Sequence, residues 1–291
     1  MLAFLALCLL ARFAYAFNDV LVGAVAREYD RVEVASLRGL SLGLTMSPLL
    51  LWVPAEAFVA LAVRWPVYLL LVSVTGLCNV LQNHAARFLP FGLRAAITLS
   101  TVSITAVSLG AGFFGERLSV WQGAFCLVLV GSAIVAAFGD HAAHEIEPDI
   151  PKGSAFALGA GACLGLAAVL TKHLAAETHP LLTAWAWEFG TGVILFGPLV
   201  VVWWVRGCAA GVARRFVRTT VASAPTVVGS GASMMALGLG PLGVWGALAG
   251  MQVLFIALLG VHWHREAMGP RRWLCFFVAA AAVAGLALAP R

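Results

Sequence analysis

Two residues of opposite charge occupy equivalent places in this sequence. Arg38, in Ser36-Leu37-Arg38-Gly39-Leu40, and Glu188, in Trp185-Ala186-Trp187-Glu188-Phe189, stand 150 residues apart, each in a largely apolar run. A charge at the centre of an apolar helix costs roughly 2.5–3.5 kcal/mol on insertion scales, so such residues need a partner or a task. They pair with each other, or they divide a zwitterion, Arg38 taking its carboxylate and Glu188 its amine. Glu188 also suits a proton-coupling acid. The plainer alternative is an interfacial Arg38 that extends to lipid headgroups and a Glu188 in a structural ion pair.

Other polar groups in apolar runs form the remaining candidate set. Arg12 lies deep in the first run, where it suits an anion or reaches back to the interface from a short N-terminus. Asn18 follows as a cavity candidate, and Asp19 is assigned to the far interface. Asn79 and Gln82, at i and i+3, share a helix face and suit a polar substrate. Hydrogen bonding between helices, worth about 0.6 kcal/mol per contact, is the competing use. Ser100, Thr101, Ser103 and Thr105 form a hydroxyl cluster that also permits close helix packing. Gln252 is the one amide in its run and is assigned to the cavity. Trp185 and Trp187 wall an apolar or cationic substrate or join an interfacial belt, the simpler reading for Trp203-Trp204. Glu116 and Glu266 end corresponding runs and are read as structural turn residues.

No catalytic or metal constellation emerges. HExxH, GxSxG, Walker and paired intramembrane aspartate motifs are missing from the sequence. His262 and His264, at i and i+2, point to different helix faces, and His141 and His144 belong to a polar loop. The expectation is therefore no catalytic residue, no metal and no cofactor.

The chain that must position these groups has 291 residues, 62% hydrophobic and only 11% charged. A soluble domain is roughly a quarter charged, so lipid is the implied solvent. The net charge of +5 comes from basic residues that lie mostly between apolar runs, where they meet anionic lipid. No nucleic-acid motif accompanies them. The cysteines, Cys8, Cys78, Cys126, Cys163, Cys208 and Cys275, form no CxxC and read as reduced packing residues.

The runs predict helices at 1–26, 35–54, 66–86, 91–113, 119–138, 154–176, 180–205, 216–237, 242–263 and 271–289. Their continuity argues against a β-barrel. Residues 139–153 (GDHAAHEIEPDIPKG) are polar and read as a linker between a first unit, 1–138, and a second, 154–291. Shifting the sequence by 150 residues superimposes Pro48-Leu49 on Pro198-Leu199, Leu109-Gly110 on Leu259-Gly260, and Glu116 on Glu266. The same shift lays residues 1–26 on 151–176. Met1–Ala16 has an Ala14-Tyr15-Ala16 stretch like a signal-peptide cleavage site, but it lacks a basic leader, and the repeat requires it as a helix. An odd number of helices per unit makes the two copies enter the membrane from opposite sides. The expected fold is thus an all-α membrane protein of ten transmembrane helices in two inverted five-helix repeats.

Phe114-Gly115-Glu116-Arg117-Leu118-Ser119, followed by Gln122-Gly123 and Gly131, resembles the turn between helices four and five of EamA-type members of the drug/metabolite transporter superfamily. His264-Arg265-Glu266 through Arg272 is a weaker copy in the second unit, and Arg38 matches the family's arginine near the start of helix two. Family members carry a proline in helix four where this chain has Ser103 and, in the second unit, Val253. Ser103 is therefore the preferred cavity hydroxyl. The family's early tryptophan in each unit's first helix is also missing, which leaves substrate class open. The resemblance implies a multi-pass secondary transporter of the cell membrane that exports an amino acid or related polar or amphipathic metabolite by alternating access. A drug or nucleotide-linked metabolite exchanger is the alternative, and a channel or membrane-embedded enzyme the rival from another class. The implied partners are a small-molecule substrate, membrane lipid and a coupling proton, in a monomer or homodimer. Basic residues cluster after odd-numbered helices, which puts both termini outside the cytoplasm; the resemblance implies both inside.

Overall fold

The structure, a computed structural model, describes residues 1–89, 91–137, 149–206, 211–264 and 269–289. Among these residues it is all helical, with twelve α-helices, one 3-10 segment and no strand. In the first half these are α1 (Leu2–Glu28), α2 (Arg31–Met46), the 3-10 segment Ser47–Trp52, α3 (Ala55–Val63), α4 (Trp65–Phe88), α5 (Phe91–Phe114) and α6 (Val120–Ala137). The second half holds α7 (Ile150–Glu177), α8 (Pro180–Arg206), α9 (Val212–Leu239), α10 (Leu242–Ala247), α11 (Gly250–His264) and α12 (Pro270–Leu288).

Local chemistry sets most boundaries. Asp30 caps α2 by accepting from the Val32 N–H at 2.9 Å. Pro66, Pro151 and Pro270 occupy first-turn positions of α4, α7 and α12, where a missing N–H costs nothing. The turn before α6 needs Gly115, whose φ of 60° is left-handed. Ser119 and Gln122 then form a reciprocal capping box. Ser119 N–H donates to Gln122 Oε1 at 3.0 Å, and Gln122 N–H to Ser119 Oγ at 3.3 Å.

Two expected helices are corrected. The run at 35–54 is not one helix. It starts at Arg31, tightens into the 3-10 segment at Pro48 and yields at Pro54 to the additional helix α3. Proline removes a ladder donor and crowds the preceding turn, which accounts for both changes. The run at 242–263 is interrupted after Ala247, although it holds no proline.

Six segments are long and apolar enough to cross a membrane: Leu2–Val22, Val32–Trp52, Trp65–Phe88, Leu93–Phe114, Ile150–Glu177 and Pro180–Val205. Val120–Val135, Leu242–Ile256 and Trp273–Leu286 are shorter apolar stretches. α9 is as long as α7, but its arginines and row of hydroxyls keep it out of that group. Large apolar side chains such as Leu51, Val120 and Trp204 face outward at 85–87% exposure, as a lipid-facing surface requires. This is a multi-pass integral membrane protein.

The principal packing runs between the two halves of the chain. α1 lies against α9 and α11, α2 against α8 and α9, α4 against α7, α5 against α7 and α10, and α6 against α12. The largest core cluster draws Phe4, Leu42, Met46 and Leu129 from the first half and Met234, Leu237, Leu242 and Trp245 from the second.

Candidate functional site

The site grows from one face of α1. Arg12, Tyr15 and Asp19 follow a three- and four-residue spacing that stacks them along a single helix face. Each meets its own group of partners.

At the centre, Arg38 of α2 and Glu188 of α8 form an ion pair, Nη1 to Oε2, at 3.3 Å. Their helices come close enough because two glycines cross. A Cβ on Gly39 would stand 2.5 Å from the backbone of Gly192. Ser36 Oγ secures the crossing by donating to the Gly192 carbonyl at 3.1 Å. Glu188 has its other oxygen satisfied too: Oε1 accepts from Ser230 Oγ at 2.6 Å. Ser230 in turn meets the Tyr15 hydroxyl at 3.1 Å. Arg38 Nη2 reaches Thr226 Oγ1 at 3.5 Å. Glu188 is buried with both oxygens engaged, as a buried charge requires, while the Arg38 side chain is 20% exposed.

On one side of that centre, Arg12 donates from Nη2 to the Trp245 carbonyl at 3.2 Å. Its guanidinium lies 4.3 Å from the centroid of the Trp245 ring. The indole N–H of Trp245 donates to Ser233 Oγ at 3.1 Å. Farther along α1 in the opposite direction, Asp19 accepts from Gln252 Nε2 at 2.7 Å and from Asn18 Nδ2 at 3.4 Å. Arg94 and Arg38 lie within electrostatic range of Asp19.

The sequence candidates thus divide. Arg12, Asn18, Arg38, Glu188 and Gln252 join the row on α1. Ser103 does not present a free hydroxyl, because it donates to the Leu99 carbonyl at 2.9 Å and the Gly246 carbonyl at 2.8 Å. Trp185 donates to the Gly43 carbonyl at 2.8 Å and stacks on Phe189 at 5.1 Å. With Leu40, Gly43, Leu44, Ser47, Phe189 and Phe216 it lines an apolar recess of about 370 Å³. Asn79 and Gln82 are not drawn to the centre. Asn79 donates to Thr75 of its own helix at 2.9 Å, and Gln82 donates to Cys78 Sγ at 3.6 Å. Asp19, assigned to an interface by its sequence position, accepts from both Gln252 and Asn18.

Glu116 is a turn residue with a longer reach than expected. Its carboxylate pairs with Lys172 of α7 and accepts from the Leu242 N–H at 2.7 Å, which caps α10. Glu266, His141 and His144 lie outside the described residues, as does most of the 139–153 segment. Cys8, Cys78, Cys126, Cys163 and Cys275 are free thiols, and Cys208 lies outside the described residues. Among the described residues no three His, Cys, Asp or Glu side chains cluster as metal ligands.

Tyr15, Thr226, Ser230, Ser233 and Trp245 were not singled out from sequence. The signal was the spacing of Ser223, Thr226, Ser230 and Ser233, which puts four buried hydroxyls on one face of α9.

An all-helical, membrane-spanning body with a row of charged and hydroxyl groups between its halves defines the class: a polytopic membrane protein with a polar interior. Over residues 2–138 the chain matches the EamA-like transporter family, the family that the Gly115–Ser119 turn resembles. Solved structures extend the likeness. One crystal structure is 14% identical, with 97% of this chain and 96% of that chain covered at a TM-score of 0.75, which establishes a shared fold. No curated protein matches the sequence.

Proposed function

We propose that this protein is a secondary transporter of the cell membrane. It exports an amino acid or a related polar or amphipathic metabolite by alternating access between two inverted five-helix repeats, 1–138 and 154–291, joined by 139–153. α3 is then an addition to the first repeat, and α10 with α11 forms one interrupted span.

The packing supports the repeat. Exchanging the halves turns the α1–α9 contact into the α7–α4 contact, leaves α2–α8 and α6–α12 as they are, and relates α5–α7 to α11–α1. A pseudo-two-fold axis in the membrane plane produces that pattern, and transporters built this way place the substrate at the repeat interface.

The observation that carries the reading is the Arg38–Glu188 pair. Two symmetry-related positions of opposite charge hold each other between the helices that would separate as one side opens. Opening one side would strain this pair, and a substrate or proton that relieves Glu188 lowers the barrier.

The test is flux in proteoliposomes across a panel of amino acids and other metabolites, with and without a proton gradient. Saturable, gradient-dependent flux in the native chain, lost or made pH-independent in Glu188→Gln, is expected. Full, pH-independent flux by both proteins excludes a coupling role for Glu188, and non-saturable flux points to a channel.

A further inference from the structure

Arg12 is a deeply buried cation that, among the described residues, holds no carboxylate. Arg38 holds Glu188, Lys172 holds Glu116 and Arg215 holds Glu33. Arg94 and Asp19 lie within electrostatic range of each other. Arg12 is 4% exposed, yet among the described residues its polar contact is a neutral peptide carbonyl, and its Nε has no partner. A guanidinium carries several N–H donors, so with one bond to a carbonyl and Nε unpartnered it is engaged well below its capacity.

The carbonyl it holds explains how the charge is kept in place. Where α10 meets α11, the Ala249 N–H bonds the Gly246 carbonyl at 3.0 Å and so passes over that of Trp245. Arg12 supplies the bypassed carbonyl with a donor. Ser103 adds a bond to the next carbonyl, Gly246. The interruption of the helix is therefore fastened by two side chains from the first half of the chain. The guanidinium carbon lies 4.3 Å from the Trp245 ring centroid, and Nε, buried and without a partner, is the donor left for an acceptor.

We propose that Arg12 is an anion-binding residue and that the transported molecule presents a carboxylate to it. This rests on the transport reading of the same site and adds which group of the substrate Arg12 holds. A carboxylate in the guanidinium plane takes Nε and one terminal nitrogen together, as bidentate pairs do. It thereby draws Arg12 off the Trp245 carbonyl and frees the α10–α11 interruption to move.

Trp245-Gly246 is the one Trp-Gly step in the sequence. Labelling Trp carbonyl carbon and Gly nitrogen therefore isolates a single resonance, in the full chain in lipid nanodiscs, without any substitution. Titration with sodium acetate is expected to move that resonance saturably, while acetamide and sodium chloride at equal ionic strength do not. A response to acetate no different from the response to acetamide overturns the assignment. In proteoliposomes, Arg12→Gln is expected to raise the half-saturating concentration of a carried carboxylate by about ten- to a hundredfold, the range of one charged hydrogen bond. If Glu188→Gln abolishes flux but Arg12→Gln moves carboxylates as the native chain does, the anion site falls and the transport reading stands. If the native chain carries no solute, the transport reading falls, and the acetate titration still decides whether Arg12 binds anions.

Discussion

The crossing of α2 and α8 offers a perturbation whose size follows from the structure. Gly39→Ala places a methyl 2.5 Å from both the nitrogen and Cα of Gly192 and 2.8 Å from the Glu188 carbonyl. These are backbone atoms, so no side chain can swing aside. Ordinary contact begins near 3.4 Å, so the helices must part by about 0.9 Å. Applied to the ion pair beside it, the same shift carries Arg38 and Glu188 from 3.3 Å to about 4.2 Å, beyond ion-pair distance. Overpacking of this kind costs typically 1–3 kcal/mol. Loosening a buried pair adds to that, because its charges stay in low dielectric with less compensation. Gly197→Ala, on the same α8 with nothing within 4 Å of the new methyl, is the control and is expected to be neutral or slightly stabilising. The assay is reversible unfolding in bicelles by steric trapping, with flux measured on the same preparations. Gly39→Ala and Gly197→Ala of equal stability would refute the close crossing and, with it, the geometry that brings the charges together.

Two further outcomes follow. Glu116→Ala deprives Lys172 of its carboxylate and the Leu242 N–H of its acceptor. It is expected to cost about 1.5–3 kcal/mol and to speed hydrogen exchange at the Leu242 amide, whereas unchanged exchange there would show that the cap is not used. Tyr15→Phe removes one neutral hydrogen bond to Ser230. It is expected to cost about 1 kcal/mol in the same unfolding assay, and no loss at all would remove Tyr15 from the network.

Charge, proline and glycine were the legible parts of this chain. Arg38 and Glu188 stood out because a charge in an apolar run is costly and because one offset relates them. Glu116 stood out through its place after Gly115. The ends of helices carry their own caps, as at Asp30 and Ser119, and these depend only on neighbours in sequence. What stayed hidden depends on which faces meet. The hydroxyls of Thr226, Ser230 and Ser233 barely change hydropathy, and only the packing of α9 on α1 gives them partners. Asn79 and Gln82 looked like cavity amides, but α4 packs on α7 and their donors are used within their own helix. Ser103 looked like a cavity hydroxyl until the interruption of α10 and α11 gave it a second carbonyl. That interruption has no proline to announce it, and its bypassed carbonyl is satisfied from Arg12, 233 residues earlier.

The polar face of α1 also has a consequence for how the protein is made. Tyr15 waits for Ser230 across 215 residues of chain. At synthesis rates of about 5–20 residues per second, that delay is roughly ten to forty seconds. Throughout it, a newly inserted first helix carries Arg12 and Asp19 with none of the α9 to α11 groups that later surround them. Lipid offers these charges no shelter, so the nascent helix must lodge in a wet or proteinaceous site until its partners leave the ribosome. The length of that stay, rather than the hydropathy of α1, sets how strongly biogenesis of this protein depends on the insertion machinery.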